Sequence, residues 1–274
     1  MKAGVVDRVL NAFDSGQQMA PISASDAAFD VGSAYRVLHD LHDRRRAAGW
    51  IPLGRKIGFT NRTIWTRYGV DRPMWSHVWD RTLVHADRGC AEVSLDHLMQ
   101  PRIEPEMALG LRSPIASGDD EVAVLQSIAW MAPAFEIVQS PFPDWKFTSA
   151  DCTAAFGLHG KLVVGEKRLL DAPDRAALVR SMSTFTVDLA KNGTPIERGT
   201  GANVLGSPLR ALMHLRDLLA TQPSSPPLAA GEIVTTGTLT DAWPVRPGET
   251  WTSRYEGIEL SGIALTLRLG SIRA

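Results

Sequence analysis

Apolar positions near the start of the chain recur every three to four residues. AGVVDRVLNAF (3–13) carries that spacing, and Tyr35, Leu38 and Leu41 repeat it through AYRVLHDLHDRRRAAG. These stretches predict two amphipathic helices, the second with Ser25 or Asp26 as its N-cap and Gly49 as its stop. IPLGRKIGF then reads as a short strand punctuated by glycine, and TNRTIWTRYGVDRPMWSHVWD as a loop with a short helix. From about residue 82 the period shortens. TLVHA, CAEVSL, EMALGL, KLVVGE, FTVDLAKNG, EIVTTGTL and ELSGIALTLRL are short β-type runs separated by Gly, Pro and Asp. KNGTPIERG predicts a hairpin, with Asn192-Gly193 supplying the positive φ of its turn. Helical inserts are expected at 119–130, 172–181 and 207–220, the last with Ser207 as cap and Pro208 in the first turn. TQPSSPPLAAG (221–231) reads as a loop. Strands and helices do not alternate regularly, which excludes a doubly wound parallel sheet. The expected fold is α+β, with a mostly helical region at 1–81 and a β-rich region at 82–274.

Composition narrows the function. The chain is 44% hydrophobic with a formal net charge of −1, so a full core is expected and a nucleic-acid partner is not, there being no basic stripe with interleaved aromatics. Arg44, Arg45 and Arg46 suit the C-terminal end of a helix, where positive charge complements the dipole. Cys90 and Cys152 form neither a CxxC motif nor a disulfide framework and fit a reducing compartment. No run approaches a membrane span, and MKAGVVDRVLNAFDSGQQ lacks the apolar stretch of a signal peptide. A cytoplasmic protein with no membrane partner is expected.

The chemistry concentrates in RIEPEMALGL (102–111). Glu104 and Glu106 are two apart in an apolar strand, so both point to one face. Two like charges on a buried face repel and lose hydration. A hard divalent cation such as Mg²⁺ or Mn²⁺ would resolve that, given a third acid, and Glu136 stands alone in the apolar run APAFEIVQS. The plainer reading pairs each glutamate with a nearby arginine such as Arg102, or with water. No His–Cys cluster competes for zinc. Lys56, between glycines in GRKIGFT, could act as acid/base or anion clamp, and Lys146 of PDWK could bind a carboxylate. TTGTLT (235–240) offers small hydroxyls and amides to a carboxylate. GTGANVLGSP lacks the lysine of a phosphate loop, and no GxSxG elbow occurs.

GRKIGFT, YGVDRPMW, RIEPEMALGL, PAFEIV followed by DWK and an Asp, GTGANVLGSPLRAL and GEIVTTGTL, in this order, resemble the fumarylacetoacetate hydrolase superfamily. The likeness runs from about residue 20 to the end and is nearest the 2-keto-4-pentenoate hydratase and 4-oxalocrotonate decarboxylase branch. The resemblance implies a mixed β-sheet roll with a smaller helical N-terminal region. It implies Mg²⁺ or Mn²⁺ held by Glu104, Glu106 and Glu136, chelating an α-keto acid or dienoate. Lys56 matches the active-site lysine, Asp80 lies near the position of a proton-transfer acid, and Asp144 and Lys146 match the DWK segment. Thr236 and Thr238 are the expected substrate-binding hydroxyls. The implied activity is hydration of a 2-hydroxy-2,4-dienoate in aromatic catabolism, by a homo-oligomer. The alternatives on this scaffold are decarboxylation of a 4-oxalocrotonate-like acid, C–C hydrolysis of an acylpyruvate, or a non-catalytic partner subunit.

The chain also departs from that pattern. Pro105 within the E-x-E pair should leave the strand at an edge or with a gap in its ladder. Phe156, Leu158 and His159 make the segment after Asp151 bulkier. Trp65, Trp75 and Trp79, read as pocket lining, would suit a larger or aromatic-derived substrate. No convincing HxxE precedes the E-x-E strand, which disfavours hydrolysis.

Overall fold

The computed structural model describes residues 4–170, 175–222 and 224–270. The start of the first expected helix (residue 3), the first residues of the 172–181 insert and residue 223 of the Pro/Ser loop lie outside the described residues. The chain opens with helices α1 (Val5–Ser15) and α2 (Val31–Ala47), then β1 (Pro52–Gly58), α3 (Trp65–Tyr68) and β2 (Met74–Trp79). The middle holds β3 (Leu83–His85), β4 (Cys90–Ser94), β5 (Arg102–Leu111), α4 (Glu121–Gln126), β6 (Ile128–Val138), α5 (Ser149–Ala154) and β7 (His159–Val164). The rest holds β8 (Arg168–Leu169), α6 (Arg175–Thr184), β9 (Thr186–Lys191), β10 (Thr194–Thr200), α7 (Pro208–Ala220), β11 (Ile233–Thr235), β12 (Trp243–Pro244), β13 (Thr250–Glu256) and β14 (Ala264–Arg268).

The strands form two mixed sheets, as the α+β expectation required. The larger runs β2-β1-β11-β5-β6-β7-β3, with β12 beside β5 and β8 beside β6; the smaller runs β10-β9-β13-β14-β4. Strands β1 and β2 come from the region before residue 82, so the N-terminal part builds the same sheet as the later strands. Ile103, Phe135, Ile137 and Val163 of the larger sheet pack against Leu189, Trp251, Leu265 and Leu267 of the smaller one. By the pleat, Glu104, Glu106 and Glu136 fall on the opposite face, away from this inter-sheet core. Asn192 and Gly193, at φ 49° and 80°, turn the β9–β10 hairpin as expected. Ser207 caps α7 by accepting from the Arg210 amide at 3.1 Å.

Three local expectations change. Asp30, not Ser25 or Asp26, caps α2, because its extended backbone lets its carboxylate accept from the Ser33 amide at 2.7 Å. The insert at 119–130 is a helix only over α4, and β6 begins at Ile128 because ladder pairing with β5 outweighs helical spacing there. The Trp-rich segment is not mainly loop: β2 is buried along its whole length and pairs with β1. Trp75 is fully buried, stacks on Tyr35 at 5.8 Å and donates to Gln222.

Pro105 does not sit at an edge. β5 is central, flanked by β6 on one side and by β11 and β12 on the other. β11 covers residues 108–110 and β12 covers 102–103, leaving the ladder open between them. The Pro105 carbonyl accepts from Leu239 on that open side at 2.9 Å. A residue's N and O point the same way in an antiparallel strand, so the missing N–H falls where no ladder bond is due.

Candidate metal and substrate site

Pairing of β5 with β6 places Glu104 directly opposite Glu136, and Glu106 opposite the small Ala134. One carboxylate oxygen from each glutamate lies within 4.8 Å of the others. Like charges directly across a ladder destabilise it, and little here relieves them. Glu106 and Glu136 are fully buried. Oε2 of Glu106 accepts from the Gly237 amide at 3.0 Å, while its Oε1 has no hydrogen-bond partner. Burial, together with the charges of Glu136 and Glu104, pushes the Glu106 carboxyl well above the usual carboxylate range. Burial and the Glu136 charge push Glu104 up to about 8. Glu136 moves the other way, to about 2: burial would raise it, but Lys56 and His159 outweigh burial. Both oxygens of Glu136 are met by cationic or N–H groups, Oε1 by His159 at 2.7 Å and Oε2 by the Lys56 ammonium at 3.0 Å. The unpartnered Oε1 of Glu106 and the convergence of carboxylate oxygens from all three glutamates fit a hard divalent cation. Glu104, Glu106 and Glu136 are the residues that would hold it.

Lys56, 3% exposed, lies beside them. Its Nζ is 3.0 Å from Glu136 Oε2 and donates to the Gly157 carbonyl at 3.0 Å. Burial lowers its pKa, but the charges of Glu136, Glu104 and Glu106 raise it further, so the net shift is upward. An ammonium has three donors, and the third remains for an oxygen in the adjoining cavity. That cavity has a volume of about 30 Å³, with Lys56 and Glu104 at its polar end and Tyr68, Trp145, Leu158 and Thr238 among its walls. Among the described lining residues, Lys56 is the only cation. Arg102 stays behind the wall, donating to the Tyr68 hydroxyl at 2.6 Å and stacked 4.4 Å over Trp145.

Several residues reached only through packing complete the site. Gly237, at φ 94°, tolerates no side chain, since a Cβ would meet Thr60 Oγ1 at 1.8 Å. Tyr255 donates to the Glu106 carbonyl at 2.7 Å and fixes that strand residue from the second sheet. His159 Nδ1 is 2.7 Å from Glu136 Oε1, and its Nε2 is 2.9 Å from Thr82 Oγ1. A carboxylate only accepts, so Nδ1 carries a proton, and the imidazole holds Glu136 with its other oxygen aimed at the trio. The sequence signal for His159 was its departure from the resembled pattern; Tyr255 had none.

Four expected residues are placed elsewhere. Asp80 accepts from the Ile51 amide at 2.9 Å and is not among the lining residues, because the turn after β2 carries it to the start of β1. Asp144 and Lys146 are exposed and 3.7 Å apart, because the turn at Pro143–Trp145 buries Trp145 and turns its neighbours outward. Thr236 is buried and donates to the Met107 carbonyl, outside the lining. Thr238 does line the cavity, although its hydroxyl donates to the Thr240 carbonyl at 2.8 Å. The TTGTLT amides serve a carboxylate, but it is that of Glu106. Trp65, Trp75 and Trp79 do not line the cavity, and Asp151 is a tether, accepting from Ser23 and Thr148.

Two packed mixed sheets carrying a buried carboxylate trio beside a lysine define the class: an α+β roll with a cation-ready small-molecule site. The family model described as "Fumarylacetoacetate (FAA) hydrolase C-terminal" matches residues 75–263, and the chain belongs to that family. It is 28% identical to a 2-hydroxyhexa-2,4-dienoate hydratase of Comamonas testosteroni, over 94% of this chain and 95% of that protein. It is 29% identical to a 2-keto-4-pentenoate hydratase of Paraburkholderia xenovorans, over 90% and 88%. Among solved structures, 4-oxalocrotonate decarboxylase from Pseudomonas putida G7, complexed with magnesium and adipate, superposes with a TM-score of 0.85 at 26% identity, covering 96% of this chain and 95% of that one.

Proposed function

We propose that this protein is a divalent-metal-dependent hydratase that adds water to a 2-hydroxy-2,4-dienoate. The observation that carries the reading is the convergent trio Glu104, Glu106 and Glu136 beside Lys56, with Glu104 and Lys56 at the polar end of an otherwise mainly apolar cavity. Mg²⁺ or Mn²⁺ bound there would supply the positive charge that lowers the cost of an enolate next to a 2-oxo acid. Lys56 holds the substrate's oxygen end through its third N–H and keeps a proton within reach of C3. Tyr68, Trp145 and Leu158 enclose the hydrocarbon tail and exclude bulk water. The dienol passes to the conjugated ketone, water adds at C4, and C3 takes a proton. The product is a 4-hydroxy-2-oxo acid.

The second reading, decarboxylation, is favoured by the likeness to the decarboxylase structure. A 4-oxalocrotonate-like acid carries a second carboxylate at its far end. The described lining offers no second cation to receive it, which supports a monocarboxylate. The proposal includes a homo-oligomer, supported by exposed apolar side chains at Ile51, Leu169 and Leu269. The test is to incubate 2-hydroxypenta-2,4-dienoate and 4-oxalocrotonate separately with the Mg²⁺-loaded protein, following ultraviolet absorbance and product mass. Addition of one water to the dienoate supports the hydratase; release of carbon dioxide with no hydration assigns the second reading.

A further inference from the structure

A second cavity of about 230 Å³ lies behind the metal-side cavity, with Arg45, Trp50, Trp79, Phe156, His159 and Lys161 among its walls. We propose that it is a separate binding site for a small planar carboxylate, aromatic or conjugated, in contact with the carboxylate trio through His159.

The two cavities are divided by an unusual piece of backbone. Phe156, Gly157 and Leu158 all have positive φ, at 53°, 58° and 64°. For bulky residues that conformation is strained and persists only where the surroundings fix it. Here the Gly157 carbonyl is held by Lys56, and Phe156 packs edge-on against Phe13 at 4.9 Å. Leu158 faces the metal-side cavity and Phe156 the one behind, so the turn is a wall.

The rear cavity has the two halves of a carboxylate-bearing ring's complement. Its aromatic half is Trp50 and Trp79, edge to face at 6.1 Å, with the Arg45 guanidinium 4.4 Å over Trp50. An apolar cavity of roughly 150 Å³ suffices for benzene, so a single-ring acid fits. Its cationic half is Lys161, which donates to the Arg81 carbonyl at 3.0 Å. Among the described residues no carboxylate lies within ion-pair distance of Lys161, and burial lowers its pKa. The two acids on this wall are engaged: Asp14 pairs with Arg45 at 2.6 Å, and the Asp96 carboxylate accepts from the Gly270 amide at 2.9 Å. Trp79, 2% exposed, carries an Nε1–H with no partner. An ammonium with no carboxylate partner beside an edge-to-face pair of indoles recognises an aromatic anion.

The test is calorimetric titration of benzoate into the full chain, both metal-free and with Mg²⁺ and saturating oxalate. Equal, saturable one-to-one binding in both conditions is expected, weakened about tenfold or more by Lys161→Ala and retained by Lys161→Arg. Competition by oxalate would put benzoate in the metal-side cavity and overturn the proposal. So would the absence of saturable binding, or unchanged binding in Lys161→Ala. The metal-free arm keeps this result independent of whether oxalate binds at the trio.

Discussion

Replacing Glu106 by glutamine should make the metal-free protein more stable and remove its stabilisation by metal. The amide keeps an acceptor for the Gly237 N–H, now met at 3.0 Å by Oε2, and removes one of the converging charges. Two unit charges within 4.8 Å repel by about 3 kcal/mol at an effective dielectric constant of about 20. The raised Glu106 carboxyl acts in the same direction, since burial and the neighbouring acids make either its charge or its bound proton costly to folding at neutral pH. At roughly 2–4 °C per kcal/mol, the variant should melt about 6–12 °C above the wild type in chelator. Mg²⁺ at a hundred times its Kd adds about 2.7 kcal/mol to a protein that binds it. The wild type should gain this and the variant should not, so the order of melting temperatures closes or reverses. Thermal melts of both proteins with chelator and with excess Mg²⁺ decide the matter. A variant less stable than wild type in chelator, or one with an undiminished Mg²⁺ shift, would refute the carboxylate argument.

The remaining expectations concern the same network and its surroundings. Glu104 and Glu106 have raised folded-state pKa values, so the folded state binds protons that the unfolded state releases. Metal-free stability should therefore be greatest below about pH 4.5 as far as these groups are concerned, and fall as pH rises toward 8. Saturating Mg²⁺ should flatten that slope, and denaturant melts across the range measure it. His159→Ala should weaken Mg²⁺ binding roughly 10–100-fold through loss of the Nδ1 contact that orients Glu136, with turnover largely recovered at saturating metal; an unchanged Mg²⁺ affinity would assign His159 to packing alone. Asp80→Asn should leave turnover intact and cost about 1 kcal/mol or less, because Asp80 serves the Ile51 amide. A collapse of kcat with an unchanged melt would restore it to the catalytic set.

The sequence carried this site where the chemistry was local and lost it where packing decided. Glu104 and Glu106 were legible because a strand's period of two forces them onto one face, whatever the fold. Glu136 was legible as the lone charge of an apolar run, but that it sits opposite Glu104 is a property of the β5–β6 register. Lys56 was readable only with the resemblance, since a lysine between glycines is ordinarily solvated. Asp80, Asp144 and Lys146 show the limit of that aid: a motif transfers residue types, while the direction of a side chain depends on whether a turn closes one residue earlier or later. Pro105 shows the same from the other side. The expectation of an edge or a gap in the ladder followed from proline's missing N–H, and the gap is what occurs. Here two short strands, β11 and β12, flank the gap instead of one long neighbour, and no spacing in the sequence marks that. The rear cavity was out of reach altogether, because its walls come from α1, α2, β2 and the left-handed turn, elements far apart in the sequence whose meeting no local spacing marks. Its contact with Glu136 through one imidazole is the kind of feature that a departure from the family pattern, such as His159, can flag in advance without explaining.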